Sequence, residues 1–166
     1  MKKIGLYPGT FDPITFGHLD IVRRAAQIVD TLYVGIASNL NKKTLFSPKE
    51  RVEIVKNSLK NSLKEINNIK VVTFDTLTVN YCKNINASII FRGLRVVTDF
   101  EYEFQLAGMN NRLDNTIQTI FLMADIENQL ISSNMVKEIA ELGGNVSKFA
   151  PQEAIVYLNK KLKNKK

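Results

Sequence analysis

The sequence predicts a doubly wound α/β domain with one five-stranded parallel sheet and helices on both of its faces. Five short apolar segments of strand length are separated by segments in which apolar residues recur at helical spacing. This alternation is typical of parallel sheets whose strands are connected by helices. With 166 residues, 45% of them apolar, the chain has the size and composition of a single globular domain. We expect that domain at residues 1–162, followed by a basic tail at 163–166.

The first half of the chain predicts two strands and two helices. The first strand is expected at 4–7, and a helix follows because apolar residues recur at helical spacing over 19–29. The second strand is expected at 32–37. The next helix begins at SPKE, where Ser47 is a natural N-cap, the following proline fits the first helical position, and Glu50 completes a capping box.

The second half continues the alternation. Strands are expected at 70–74, 87–91 and 116–123, with a short helix at 78–85 between the first two. Thr98, with a glutamate three residues later, is predicted to cap the helix that precedes the last strand. These assignments complete five strands.

Two more helices follow the last predicted strand. The segment SSNMVKEIAEL at 132–142 ends at Gly143 and Gly144, a typical helix stop, and Pro151 opens a last amphipathic helix. In doubly wound sheets, ligands bind at the carboxyl ends of the strands. The chemistry of the protein is therefore expected in the segments that directly follow the five strands.

The net charge of +7 is compatible with a nucleic-acid partner, but its distribution argues against one. Much of the excess lies in a terminal cluster that is typical of a solvated tail. The N-terminus has too few apolar residues for a secretory signal, and the single cysteine, Cys82, suits a reducing compartment. We expect a cytoplasmic protein without nucleic-acid or membrane partners. The cluster comprises Lys160, Lys161, Lys163, Lys165 and Lys166.

The segment YPGTFDPITFGH at 7–18 follows the first predicted strand and contains the only histidine of the chain. His18 lies near the start of a predicted helix, where unpaired N–H groups and the helix dipole favour phosphate, and its imidazole adds a further donor. Thr10 contributes a hydroxyl, and Asp12 is expected to brace the turn. A lone histidine is also common as a surface or capping residue, so this motif alone leaves both interpretations open.

The segment FRGLRVVTDFEYE places Arg92 and Arg95 after the fourth predicted strand. Paired guanidinium groups are planar multidentate donors that suit phosphate or carboxylate. Salt bridges to Asp99, Glu101 or Glu103 are the alternative, and the sequence does not decide between the two.

Further phosphate-type donors follow the second and fifth predicted strands. Lys42 and Lys43 occupy the second loop, and the fifth loop provides hydroxyls, an amide and a lysine at a helix start. A serine at a helix start is also the usual N-cap, and this alternative stays open. Several loops on one sheet edge with such donors predict a polyphosphate ligand, although the chain has neither a Walker sequence nor a glycine-rich dinucleotide fingerprint. The fifth-loop residues are Ser132, Ser133, Asn134 and Lys137.

Two motifs resemble those of a known superfamily. Thr15-Phe16-Gly17-His18 resembles the (H/T)xGH signature of nucleotidyltransferases, and Ile131-Ser132-Ser133 with Lys137 resembles their ISSTxxR/K signature. Together, YPGTFDPITFGHLDIV, FRGLRVVTDFEYEFQLA and ISSNMVKE are similar to the bacterial phosphopantetheine adenylyltransferases. This resemblance extends over nearly the whole chain.

The resemblance implies transfer of AMP from ATP to 4'-phosphopantetheine, which gives dephospho-coenzyme A and pyrophosphate in the penultimate step of coenzyme A synthesis. It implies that His18 stabilises the transition state and that Lys42 and Arg92 share the catalytic work. It assigns the contacts to phosphopantetheine to Thr10, Lys42, Thr78 and Arg92. It assigns those to ATP to Thr10, Phe11, His18, Gly93, Leu94, Arg95, Glu103, Asn128, Gln129, Leu130, Ile131, Ser132, Ser133 and Asn134.

The resemblance also implies Mg²⁺ as cofactor, with no protein residue assigned to the metal, a homohexamer built as a dimer of trimers, and feedback binding of coenzyme A. Two residues depart from the family pattern. Asn134 replaces a serine or threonine, which changes a hydroxyl contact to an amide contact, and Asn128 stands where tryptophan is frequent. The sequence leaves three alternatives: nucleotidyl transfer to another acceptor, a basic nucleic-acid-binding module, and a nucleotide sensor without catalysis.

Overall fold

The computed structural model describes residues 2–38 and 43–163. All strand pairings are parallel, in the order β3-β2-β1-β4-β5, so the predicted doubly wound α/β fold with five parallel strands is confirmed. A 3₁₀ turn at Ile126–Asn128 was not predicted. The elements are β1 (Ile4–Gly9), α1 (Phe16–Ala26), β2 (Thr31–Ala37), α2 (Pro48–Ser62), β3 (Ile69–Phe74), α3 (Thr78–Asn84), β4 (Ile89–Leu94), α4 (Val97–Leu113), β5 (Gln118–Met123), α5 (Ser133–Glu141) and α6 (Gln152–Lys163).

The sheet is covered on both faces, and alternate residues of its central strands enter two different cores. Tyr7 and Phe91 belong to the larger core, whereas their neighbours Leu6 and Ile90 belong to the smaller one. This alternation follows from the two-residue period of a strand. Cys82 is fully buried in the smaller core, and burial raises the pKa of its thiol to about 12, as expected for a packing residue rather than a reactive thiol.

The sheet splits between its two central strands. The pairs that join β1 to β4 are Gly5 with Ile89 and Leu6 with Ile90, whereas β1 pairs with β2 through Gly9. Strand order reverses at this point, since β2 and β3 lie on one side of β1 and β4 and β5 on the other. A crevice at the carboxyl ends of such strands is the usual ligand site of this architecture.

Two strands extend further toward this crevice than the sequence predicts. β1 continues to Gly9 instead of ending at residue 7, because its ladder with β2 includes Pro8. β4 begins at residue 89 and ends at Leu94 instead of spanning 87–91. Arg92 and Gly93 therefore lie on a strand rather than in a flexible loop, which fixes their backbone near the split.

Two predicted helix boundaries are confirmed. Ser47 accepts a hydrogen bond from the Glu50 N–H, and the Glu50 carboxylate accepts one from the Ser47 N–H, which is the predicted capping box of α2. α5 ends at Glu141, and Gly143 follows with a φ of 83°, a left-handed conformation that favours glycine.

The predicted cap of α4 is wrong. The helix begins at Val97, so Thr98 lies inside its first turn and Val96 occupies the N-cap position without a side-chain cap bond. Asp99 supplies a related contact, because its carboxylate accepts a hydrogen bond from the Arg95 N–H. The capping-box pattern failed here because helical hydrogen bonding begins earlier, with the Asp99 N–H donating to the Val96 carbonyl at 3.0 Å.

α6 includes Lys163, and the rest of the predicted tail, 164–166, lies outside the described residues. Within the described ranges, no helix has the length and apolar character needed to cross a membrane.

Candidate active site

A cleft of about 500 Å³ opens where β1 and β4 separate. It is lined by the loop after β1, the start of α1, the segment before α2, the end of β4, the first turns of α4 and the start of α5. The segments that follow the first, second, fourth and fifth strands thus converge on one site, whereas no described residue of the segment after β3 lines it. The predicted residues that line it are Thr10, Phe11, His18, Arg92, Gly93, Arg95, Glu103, Ile131, Ser132, Ser133 and Asn134.

Other predicted residues are placed elsewhere. Leu94 ends β4 with its side chain in the core, and Thr78 is the first residue of α3. Asn128 packs against the start of α1, where a Cβ built on Gly17 would lie 3.6 Å from it. The roles of these residues toward ligands remain predictions. Gln129 and the exposed Leu130 follow Asn128, and Lys42 lies outside the described residues.

The imidazole of His18 is held by the cap of α1. Thr15 is the N-cap, and its N–H donates to Nδ1 of His18 at 3.1 Å, while its hydroxyl lies 2.9 Å from the same nitrogen. Because Nδ1 accepts a hydrogen bond from a backbone N–H, the proton of the neutral ring is on Nε2. His18 is therefore both a capping residue and an oriented N–H donor, so the two interpretations left open by the sequence are compatible.

The ring of His18 is neutral at physiological pH. Burial lowers its pKa to about 4, with a smaller contribution in the same direction from the nearby positive charge of Arg95. A neutral imidazole can donate one hydrogen bond without carrying a charge into the cleft. The geometry thus suits stabilisation of an oxyanion rather than general acid catalysis.

This lowered pKa predicts a pH-dependent stability. A histidine whose pKa is about 4 when folded and near 6.5 when unfolded stabilises the fold fully above pH 6.5. The contribution is lost as the pH falls toward 4, and from pH 7.5 to pH 5 the expected loss is about 2 kcal/mol. We expect the thermal midpoint of the wild type to fall more over this interval than that of His18→Gln.

The control variant keeps the helix cap, because glutamine is a usual capping-box residue at this position. All other titratable residues are the same in both proteins, so the difference between their midpoints isolates the histidine. Parallel midpoint curves for the two proteins between pH 7.5 and pH 5 would show that the pKa of His18 is not lowered by folding.

Phe11, which lines the cleft, has an unusual backbone conformation. Its φ is 50°, which is uncommon for a bulky residue and is maintained only where the surroundings determine the backbone. Its ring packs over Gly9, where a Cβ would lie 2.8 Å from two ring atoms. It also contacts the rings of Tyr7 and His18 edge to face, with centroid distances of 5.6 and 5.1 Å. The Phe11 ring thus packs against the imidazole and restricts its position.

Both arginines of the RGLR segment are paired with carboxylates. Arg92 binds Glu103 through Nε, at 2.6 Å, and Nη2, and its Nη1 donates to the Pro8 carbonyl across the split at 3.0 Å. Arg95 binds Asp99 and donates through Nη1 to the Ile131 carbonyl at 3.1 Å. The salt-bridge alternative is therefore confirmed for both arginines.

These ion pairs do not exclude a ligand role, because each guanidinium has five N–H donors. Arg92 and Arg95 both line the cleft. The carboxylates orient the guanidinium groups and offset part of their charge. A ligand that brings several negative charges would find both groups already placed.

The two serines of the fifth loop have structural partners. Ser132 is the N-cap of α5 and accepts a hydrogen bond from the Met135 N–H, so the capping alternative holds for it. The Ser133 hydroxyl donates to the Pro13 carbonyl at 2.7 Å and ties α5 to the loop after β1. Residues at the starts of α1 and α5 line the same cleft, and two helix starts on one cavity favour an anion.

Asp12 joins three parts of the site. Its carboxylate, which is almost fully buried, accepts hydrogen bonds from the N–H groups of Leu45 and Phe46, both at 2.9 Å, and from Nζ of Lys137, also at 2.9 Å. The sequence predicted a brace within its own turn. The structure corrects this, because the partners belong to the segment before α2 and to α5.

Two polar cleft residues, Tyr7 and Thr44, were assigned no role from the sequence. They carry no local signal, because their place in the cleft depends on how the strands and loops pack. Helical spacing supports the prediction of Lys137 as a donor, since it lies four residues after Ser133 and on the same face of α5. The cleft residues that the sequence predicted as donors, signature residues or structural partners, without a place in the assigned ligand contacts, are Asp12, Thr15, Lys43, Asp99 and Lys137.

Comparisons with known proteins identify the family of this chain. The cytidylyltransferase-like family matches residues 6–139. The phosphopantetheine adenylyltransferase of Pelagibacter ubique is 50% identical over 162 residues, which cover 97% of this chain and 99% of the relative. That of Caulobacter vibrioides is 54% identical over 149 residues, which cover 90% of this chain and 91% of the relative.

A solved structure supports the fold independently. Nicotinic acid mononucleotide adenylyltransferase from Plasmodium falciparum, complexed with NaAD, superposes with a TM-score of 0.71 at 18% identity and covers 96% of each chain. At that identity the likeness concerns the fold alone. The family model and the two bacterial relatives give the family assignment. The chain is a nucleotidyltransferase of the cytidylyltransferase-like family and belongs to the phosphopantetheine adenylyltransferases.

Proposed function

We propose that this chain transfers AMP from ATP to 4'-phosphopantetheine and thereby makes dephospho-coenzyme A and pyrophosphate. An oxygen of the 4'-phosphate forms a bond to the α-phosphorus of ATP, and the bond from that phosphorus to the oxygen that bridges to the β-phosphate breaks. The electron pair leaves with pyrophosphate. The observation that carries this proposal is the convergence of an oriented imidazole, two guanidinium groups and two helix starts on one cleft.

The chemistry places few demands on the protein apart from position and charge. A phosphate monoester has its second pKa near about 6, so the nucleophile is largely ionised at neutral pH and needs no general base. The enzyme must hold two polyanions in line and stabilise the charge that grows on the α-phosphate. A neutral His18 with its proton on Nε2 fits the second task, and Arg92 and Arg95 fit the first.

The assignments to individual substrates follow the family resemblance. We propose that 4'-phosphopantetheine contacts Thr10, Lys42, Thr78 and Arg92. We also propose that Lys42 and Arg92 stabilise the negative charge of the transition state. ATP would contact the backbone of Thr10 and Phe11, the imidazole, Gly93–Arg95 and the segment 128–134. Glu103 would act mainly through Arg92, since each of its oxygens accepts a hydrogen bond from that guanidinium.

Mg²⁺ is proposed to accompany the phosphates of ATP. Within the described ranges no group of three His, Cys, Asp or Glu is arranged to hold a metal, and the cleft carboxylates Asp12, Asp99 and Glu103 are paired with cations. This donor set fits a metal ligated mainly by substrate oxygens and water, as is usual for Mg²⁺. When bound, the ion would neutralise part of the phosphate charge.

We also propose a homohexamer built as a dimer of trimers. The exposed apolar side chains of α4 support self-association, because Tyr102, Phe104 and Met109 are each more than 60% exposed. Light scattering on the purified protein would then give a mass about six times the 18.8 kDa of one chain. A mass of one chain at micromolar concentration would contradict this assembly.

Two further proposals concern regulation and location. Coenzyme A carries the adenylate and phosphopantetheine groups of the product, so we propose that it competes for the same cleft as a feedback ligand. The single cysteine suits a reducing compartment, so we propose the cytoplasm.

The reaction is tested by incubating the protein with ATP and separate acceptors while pyrophosphate release is followed. We expect release with 4'-phosphopantetheine, with nicotinate mononucleotide and other phosphorylated acceptors near background. Release with another acceptor alone would assign a different nucleotidyl transfer. ATP binding without release with any acceptor would instead favour a nucleotide sensor.

A further inference from the structure

Arg51 is a buried arginine on the core-facing side of α2. It is 2% exposed, and Ile54 and Val55, one turn later on the same face, are fully buried. Arginine is almost never fully buried unless it is paired. The burial of this charged side chain therefore needs a structural explanation.

The guanidinium of Arg51 joins the ends of two neighbouring strands. Its Nη1 donates to the Thr10 carbonyl at 2.8 Å and to the Ala37 carbonyl at 2.9 Å. Thr10 directly follows β1, and Ala37 is the last residue of β2. Within the described residues its buried Nε has no hydrogen-bond partner, which costs stability. The two carbonyls accept charge-assisted hydrogen bonds that offset part of this cost, so the guanidinium fixes both strand ends together.

The hydrogen bond to Thr10 determines the direction of the next N–H group. The carbonyl of Thr10 and the N–H of Phe11 belong to one trans peptide unit, so they point in opposite directions. Thr10 and Phe11 line the cleft, whereas Arg51 is not among its lining residues. Arg51 hydrogen-bonds the Thr10 carbonyl on the side away from the cleft, and we infer that the Phe11 N–H therefore points toward the cleft.

The Phe11 N–H has the properties of a ligand donor. Within residues 2–38 and 43–163 it makes no hydrogen bond, and the φ of 50° shows that its backbone is constrained. An unpaired N–H in a cleft flanked by two helix starts adds a donor for a phosphate oxygen.

We propose that Arg51 is a positioning residue that, through the Thr10 carbonyl, presents the Phe11 N–H to a phosphate oxygen in the cleft. The inference rests on the proposed function, since the anion is taken to be the nucleotide. Arg51 acts from behind the loop and does not touch the substrate. Burying the charge of Arg51 costs stability. In return, the loop is held in the conformation that binds the anion, so no rearrangement is needed on binding.

Arg51→Met tests this proposal, because methionine keeps the apolar length of the side chain and removes all its donors. We expect kcat/KM for ATP to fall by about 10- to 100-fold, the usual effect of losing one charge-assisted hydrogen bond. Arg51→Lys retains a buried cation but lacks the planar fork, so we expect partial rescue, with a loss of about 3- to 10-fold. The matched control is Ser58→Ala on the same buried face, with wild-type kinetics expected.

The outcomes separate this proposal from the proposed function. Absence of pyrophosphate release by the wild type with 4'-phosphopantetheine would contradict the function itself. An active wild type with unchanged kinetics in Arg51→Met would overturn the role of Arg51 alone. Activity that falls only in proportion to the folded fraction, measured from the thermal midpoint, would make Arg51 merely structural and would also overturn it. If Arg51→Met does not fold, Arg51→Lys carries the test, and wild-type kinetics in that variant would refute the proposal.

Discussion

His18→Ala is expected to lower turnover by about 10²- to 10³-fold, with smaller effects on substrate affinity. The imidazole is oriented by the Thr15 N–H, and its remaining proton, on Nε2, is available to the α-phosphate, where charge grows during transfer. Loss of a donor that acts mainly in the transition state reduces kcat more than it raises KM. Pyrophosphate release at saturating ATP and 4'-phosphopantetheine measures this effect directly.

The control for this prediction is His18→Gln. Glutamine can accept the Thr15 N–H and preserve the cap, so any remaining deficit is chemical rather than structural. We expect turnover of this variant to stay at least about 10-fold below the wild type, since its amide does not reproduce the Nε2–H position. Turnover near the wild-type value in His18→Ala would remove the imidazole from the mechanism.

Asp12→Ala is expected to reduce stability by about 3 kcal/mol, the usual cost of removing one partner of a buried ion pair. The variant leaves the Phe46 N–H and the Lys137 ammonium without their acceptor, and it removes a contact between the loop after β1 and α5. For a chain of this size, the thermal midpoint should fall by roughly 6 to 12 °C. Calorimetry at a fixed protein concentration measures it.

Asp30→Ala is the matched control. Asp30 also accepts a backbone hydrogen bond, from the Lys3 N–H, but it is exposed, so we expect a loss within about 1 kcal/mol. In a Lys137→Met background the cost of Asp12→Ala should shrink by at least about 1 kcal/mol, because the charge it left unpaired is gone. Equal midpoint changes for Asp12→Ala and Asp30→Ala would show that Asp12 does not join the loops.

The fold was largely predictable because its signals are local. Alternating apolar strands and amphipathic helices determine a parallel sheet, and the capping box at Ser47 was readable as a four-residue pattern. The Thr98 cap failed because the same pattern does not reveal that helical hydrogen bonding already begins at the Val96 carbonyl. The predicted C-terminal ends of β1 and β4 came too early, because pairing across the sheet, not local propensity, determines where these strands end.

The cleft was predictable in outline, since the rule that ligands bind at the carboxyl ends of strands selects the right segments. Its internal contacts were not. The partners of Asp12 lie 33 to 125 residues away, and sequence spacing contains no information on such pairs. Arg51 looks like a typical surface residue of a charged helix, although its position on the buried stripe of α2 was visible in the spacing to Ile54 and Val55.

The central claim is that the split between β1 and β4 holds the triphosphate with His18 at the α-phosphate. The most direct measurement is a crystal structure with a non-hydrolysable ATP analogue. We predict Nε2 of His18 at about 3 Å from an oxygen of the α-phosphate, with the phosphates between the starts of α1 and α5. A nucleotide bound elsewhere, or one in this cleft with its α-phosphate beyond the reach of the imidazole, would contradict the account.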